Sequence, residues 1–200
     1  MRYSPSSRRC LVTLLLCCAW PFAAAAHPDI AVTARLLFDV KAGRLSSVVE
    51  SLAFDAGYSR RLLDRYDRDG DGAFDETETA TLRQSLIADL QPLGFFAEVS
   101  ANGQPLRLPT PAAFHAASEG GIVTVTLAFL LDAPVDLPPG HAVEVLLRDR
   151  DYVVALRLAE QAPVVIRGDD GRCAYLLKER LDLAYFGGLV VPQTIDFSCH

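Results

Sequence analysis

The stretch Asp67-Arg68-Asp69-Gly70-Asp71-Gly72-Ala73-Phe74-Asp75-Glu76-Thr77-Glu78 constrains this chain more than any other, because its spacing demands a helix, a tight acidic loop and a second helix in succession. Loop positions 1, 3 and 5 are Asp67, Asp69 and Asp71, position 9 is Asp75 and position 12 is Glu78. Carboxylate oxygens at these five places are the hard donors that suit Ca2+, and position 7, Ala73, adds a backbone carbonyl. Gly72 falls at position 6, where the chain turns sharply and a left-handed backbone favours glycine. Phe74 supplies an apolar residue at position 8. The simpler alternative, a solvated acidic turn, does not account for the glycine and the terminal glutamate at their required places.

The flanks agree with the loop. Tyr58, Leu62, Leu63 and Tyr66 share one helical face before it, and Leu82, Leu86, Ile87 and Leu90 repeat that spacing after it, with Gly94 marking the end. Elsewhere the period is two. Ile30, Val32, Ala34, Leu36, Phe38 and Val40 alternate with mostly polar neighbours, Lys41 to Arg44 reads as a turn, and Leu45 to Phe54 as the return strand. Short strands are predicted at about Phe95 to Ser100, Gln104 to Leu108, Val123 to Leu131, Val143 to Leu147, Tyr152 to Leu158, Val164 to Ile166, Cys173 to Leu177 and Thr194 to Cys199. The expected fold is mainly β (α+β), an antiparallel β-sandwich-like domain with an EF-hand helix–loop–helix inserted at about residues 56–92. No second such loop is present in the sequence, so Phe74 is expected to lean on the sheet or on another chain.

Residues 1–26 have the parts of a secretory signal: Arg2, Arg8 and Arg9, then an apolar stretch from Leu11 to Trp20, then Ala24-Ala25-Ala26. The mature chain is expected to start at His27 and to form a single β-rich domain over 27–200, exported to the periplasm or beyond, with no membrane insertion once the signal is removed. Removing three arginines and no acids makes the formal charge of −6 more negative still, which disfavours nucleic acid and favours cationic ligands. Cys173 and Cys199 are the cysteines beyond the leader. In an oxidising compartment they read as one disulfide, worth about 3.5 kcal/mol in the chain-entropy model. Two free thiols holding a soft metal are the alternative reading.

His27 would carry a free α-amine after cleavage. Amine and imidazole together suit a transition metal such as nickel, copper or zinc, and the amine must lose a proton to bind. The alternative is that a histidine merely follows the cleavage site. His115, His141 and His200 are isolated in sequence. No nucleophile elbow, phosphate loop or H-E-x-x-H motif occurs, so no catalytic residue is expected; Asp149 and Asp151 beside Tyr152 read as a polar hairpin turn rather than an acid–base pair.

The opening His27-Pro28, Leu37-Phe38-Asp39, Phe54-Asp55-Ala56-Gly57-Tyr58-Ser59, the D-x-D-x-D-G loop and Asp149-Arg150-Asp151-Tyr152 together resemble a bacterial periplasmic domain-of-unknown-function family (the family 1007 type). Its members are labelled the periplasmic component of an uncharacterised ABC-type transport system, and the likeness covers nearly the whole mature chain. The resemblance implies an association with an inner-membrane nickel/cobalt-type metal permease, and with it a transition-metal role for His27. The family's usual opening is His-Pro-His, where this chain has His27-Pro28-Asp29, a harder donor at the third place.

The sequence thus leads to an exported, non-enzymatic calcium-binding accessory protein of a metal-transport system, with His27 as a site for nickel, cobalt, zinc or copper. Two other readings remain: a calcium-stabilised module for protein contacts, and a copper enzyme in which His27 and a second histidine brace the metal.

Overall fold

The computed structural model describes residues 28–168 and 171–200. The expected leader, its cleavage point and His27 lie outside the described residues. In chain order the elements are β1 (Ile30–Lys41), β2 (Arg44–Phe54), α1 (Ala56–Tyr66), α2 (Glu76–Leu90), β3 (Ala97–Ala101), β4 (Gln104–Leu106), β5 (Ala113–Glu119), β6 (Ile122–Asp136), β7 (Ala142–Leu147), β8 (Val154–Leu158), β9 (Val164–Arg167), β10 (Cys173–Glu179) and β11 (Gln193–Cys199). A short 3-10 segment, Gln91–Phe96, follows α2. Among the described residues no helix is long and apolar enough to cross a membrane.

The strands form two sheets. The first runs β5-β6-β2-β1, with β8 and β9 placed end to end along the far edge of β1; the second runs β10-β11-β7-β3-β4. The alternation in β1 does what its period demands, since Val32, Ala34, Leu36, Phe38 and Val40 all face inward and are buried. The two-residue turn Ala42-Gly43, both left-handed, returns the chain as β2.

The sheets depart from the antiparallel expectation at β8 and β9, which run parallel to β1. The physical reason lies between Leu147 and Val154. That segment is a crossover: β7 belongs to the second sheet, and the chain leaves it to join β1 in the first. Asp149 and Asp151 therefore do not turn a hairpin. Strand β5 was also not foreseen, because Ala113-Phe-His-Ala-Ala-Ser-Glu119 is poor in branched residues and lies at a sheet edge with only Ala116 buried. Residues 95 and 96, expected as strand, instead close the 3-10 turn with left-handed backbones after Gly94.

One core joins these layers. Phe38 of β1 stacks on Phe197 of β11 with ring centroids 5.0 Å apart, which ties the two sheets together. Toward the other end α1 packs on β6 and α2 reaches β5, burying Leu62, Tyr66, Leu82, Leu86 and Leu90. Cys173 and Cys199 lie directly opposite each other in the β10–β11 register and form a disulfide. Such a bond belongs to an oxidising, exported environment. Beyond it β10 is an edge strand, with Leu176 and Leu177 largely exposed.

Glu50 is the anomaly in this core. Its register partners are Leu36 on one side and Leu127 on the other, it is fully buried, and neither carboxylate oxygen has a hydrogen-bond partner among the described residues. Burial alone pushes its pKa up from 4.5 to about 8. A raised folded-state pKa means that its stabilising contribution is complete below pH 4.5 and is lost as pH climbs through about 8. Each pH unit in that window removes at most about 1.4 kcal/mol. Glu50→Gln is expected to flatten the fall in stability between pH 5 and 8, as read by urea unfolding at both pH values. An unchanged slope would mean that other groups set it.

Candidate metal centre

The acidic loop is positioned from the sheet outward. Strand β2 ends at Phe54, and the extended backbone of Asp55 caps α1: its Oδ1 accepts from the Tyr58 N–H at 2.9 Å. Its Oδ2 accepts from the Ala31 N–H of β1 at 2.7 Å, and its own N–H donates to the Ala31 carbonyl at 2.8 Å. The Ala31 N–H, then that of Tyr58, holds the Asp55 carboxyl below its usual range. One turn later the buried Ser59 hydroxyl donates to the Phe54 carbonyl and accepts from the Val123 N–H of β6. The first turn of α1 is thus bonded to three strands.

Helix α1 stops at Tyr66, and the loop then folds around its own carboxylates. Asp67 accepts from the Gly70 N–H at 2.8 Å through Oδ1 and from the Gly72 N–H at 2.9 Å through Oδ2. Asp69 accepts from the Asp71 N–H and Asp71 from the Ala73 N–H. These turns bring one oxygen each of Asp67, Asp69 and Asp71 within 4.8 Å of one another. Gly70 and Gly72 have φ of 73° and 84°, which only glycine adopts without strain.

The loop closes onto α2. Asp75 caps the helix by accepting from the Glu78 N–H at 2.7 Å, while Glu78 Oε2 accepts from the Asp75 N–H at 2.9 Å, a complete capping box. Glu78 Oε1 accepts from the Arg68 N–H at 2.5 Å, so this buried carboxylate ties the start of the loop to its end. Phe74 packs against the core, so the loop leans on the body of the chain.

The loop gathers like charges, and at Asp69 their repulsion shows. Desolvation pushes Asp67 up, but the N–H groups of Gly72 and Gly70 outweigh it and hold the carboxyl below its usual range. For Asp69 the Asp71 N–H lowers the pKa, yet desolvation and the Asp71 carboxylate prevail and leave it raised. A cluster of hard oxygens under mutual repulsion fits a hard divalent cation. Asp67, Asp69, Asp71, Asp75 and Glu78 each keep free lone pairs beside their N–H bonds.

Among the described residues the histidines join no metal-type cluster of three or more. His115 lies on β5, His141 precedes β7 and His200 ends the chain. Among the described residues, Asp67, Asp69 and Asp71 form the metal-type cluster. Asp149 accepts from the N–H groups of Asp151, Val153 and Val154, which makes it the buried brace of the crossover rather than half of an acid–base pair. Two capping roles that hold the site in place were not read from the sequence. The Asp75-x-x-Glu78 capping box was readable there, and so was Asp55 as the cap before a helical face; the bond from Asp55 to Ala31 left no local signal.

A family model described as Protein of unknown function (DUF1007) matches residues 12–179. An "Uncharacterized 15.5 kDa protein in trpE 3'region" of Spirochaeta aurantia is 27% identical over 132 residues, covering 64% of this chain and 90% of that relative.

A Cβ built on Gly72 meets nothing within 4 Å, so substitution there tests backbone conformation alone. Gly72→Ala is expected to lower stability by about 1–2 kcal/mol, measured by denaturant unfolding without added metal. No loss would show that the loop is free to rearrange.

Proposed function

The chain belongs to the DUF1007 family of proteins of unknown function, and we propose that it is an exported, non-catalytic calcium-binding accessory protein. The observation that carries this reading is the loop itself: three carboxylates are gathered within 4.8 Å by backbone N–H donors, on an EF-hand spacing, between two helices tied into the core. Asp67, Asp69 and Asp71, with the Ala73 carbonyl, Asp75 and Glu78, would hold the ion. Bound calcium supplies the positive charge that relieves the repulsion among the aspartates. The residues supply preorganisation, because Asp67 and Glu78 are already oriented by loop N–H groups.

Periplasmic location is supported by the disulfide together with the leader-like residues 1–26. The link to a metal permease rests on the resemblance in the motifs, as does a nickel, cobalt, zinc or copper site at His27. The chain's first described residues are fixed, since the Asp29 and Ile30 N–H groups both donate to the Val153 carbonyl. A second reading, a calcium-stabilised module for protein contacts, is favoured by the anchoring of both helices in the core.

Calcium is expected to bind at one site and to raise the thermal midpoint, by about 2.7 kcal/mol of added stability at a hundredfold excess over Kd. Calorimetric titration of Asp69→Asn and Glu78→Gln is expected to show affinity reduced tenfold or more; wild-type affinity in both variants would overturn the assignment. Asp69 is exposed and accepts a single backbone bond, so that variant separates binding from folding. Adding one residue before His27 is expected to abolish uptake of a transition metal and leave calcium unchanged. Transition-metal uptake that survives the addition, or that never occurs, would leave the module as the better account.

A further inference from the structure

Away from the loop, the far end of the helical pair forms one wall of a groove of about 240 Å³. Tyr58 of α1, Leu86 and Leu90 of α2 and Phe96 line it on one side, and Val153 and Val154 of the crossover on the other. The lining is apolar. Two of its large side chains, Leu93 and Val153, are 47% and 49% exposed. The volume falls below the roughly 300 Å³ at which pockets enclose a whole small molecule. It matches one or two side chains inserted by a larger partner.

Charge around this groove has one dominant sign. Exposed Asp89 and Asp151 stand at its rim, and their carboxylates have no ion-pair partner among the described residues. Nearby cations are already engaged: Arg61 lies over the Tyr58 ring at 5.0 Å, and Arg148 and Arg150 both bind Glu98. Asp89 is also misplaced for its helix. It sits in the last turn of α2, where no basic residue offsets the negative end of the helix dipole. An incoming cation would relieve that repulsion. Asp89 and Tyr58 line the groove together, and burial, then that carboxylate, raise the Tyr58 phenol.

The walls are also held under backbone strain. Phe95 and Phe96 have φ of 57° and 61° directly after Gly94, and Tyr152 has φ of 53° between two rim residues. Non-glycine residues in the left-handed region persist where the surroundings over-determine them, and they cluster at ligand clamps.

We propose that this groove docks a partner segment presenting one or two large apolar side chains flanked by lysine or arginine. Apolar anchors would fill the slot between Tyr58 and Val153, and the basic neighbours would meet Asp89 and Asp151. This surface is distinct from the acidic loop and adds a partner chemistry to the function proposed above.

The test uses a labelled peptide in which lysines alternate with leucine–phenylalanine pairs, and the same peptide with every lysine replaced by glutamate. Fluorescence anisotropy with the chain starting at His27 is expected to show the basic peptide binding at least tenfold more tightly than the acidic one. Leu93→Glu and the pair Asp89→Lys with Asp151→Lys are each expected to weaken the basic peptide tenfold or more at unchanged thermal midpoint; all three positions are exposed, so the fold should tolerate them. Undiminished binding by these variants, equal binding of both peptides, or no binding of the basic peptide would overturn the proposal. Self-association abolished by Leu93→Glu would instead assign the groove to a second copy, and loss of binding in the full 200-residue chain would assign it to residues 1–27. Undiminished peptide binding by Asp69→Asn supports the groove even if the calcium titration fails.

Discussion

The carboxylate of Asp55 holds the helical pair to the sheet, and the geometry of everything beyond it follows from that attachment. One oxygen caps α1 and the other takes the Ala31 N–H, so a single side chain fixes both the start of the helix and its distance from the first strand. Ser59 repeats the attachment one turn later through β6. With the start of α1 fixed, eleven residues of helix determine where Asp67 begins the acidic loop. The loop then directs α2 back along the core, where Leu82, Leu86 and Leu90 are buried. The acidic loop and the groove are therefore opposite ends of one anchored unit.

Most of the motifs that suggested a family turn out to be joints. Phe54 to Ser59 is the sheet-to-helix attachment. Asp39, at the end of Leu37-Phe38-Asp39, accepts from Ser47 and pairs with Arg167 of β9, and the Arg167 guanidinium holds it below its usual pKa. Asp149 braces the crossover. Asp55 and Asp39 satisfy groups from segments distant in sequence, and Asp149 satisfies the backbone of its own crossover, so each needs a carboxylate for reasons of folding. The D-x-D-x-D-G loop differs. Its carboxylates serve mainly their own backbone, and bringing three of them together has no purpose in the core.

How legible the chain was depended on the range of the forces involved. Strand β1, the β1–β2 hairpin, both helices and the Cys173–Cys199 pairing were readable because each follows from local period, a turn residue or a small inventory of cysteines. The acidic loop was readable because its spacing is itself the signal. What escaped was set by distant partners. The parallel pairing of β8 and β9 depends on where a crossover lands, and β5 is held by its neighbour β6 rather than by its own residues. Glu50 escaped for another reason: a lone acid in an apolar strand looks like an outward-facing residue, and only the register with Leu36 and Leu127 shows that it faces inward.

The arrangement around β1 also bears on the order in which the molecule can form. Its partner β2 is available at once, but its other edge is closed by residues far along the chain, Thr33 meeting Arg157 at a separation of 124 positions. Until those residues arrive, the first strand presents a row of unpaired backbone groups beside one of the most apolar stretches of the sequence. A topology of this kind has high contact order and folds slowly, because long loops must close before their contacts are gained. The native sheet therefore cannot be completed until the second half of the chain is available to pair with the first.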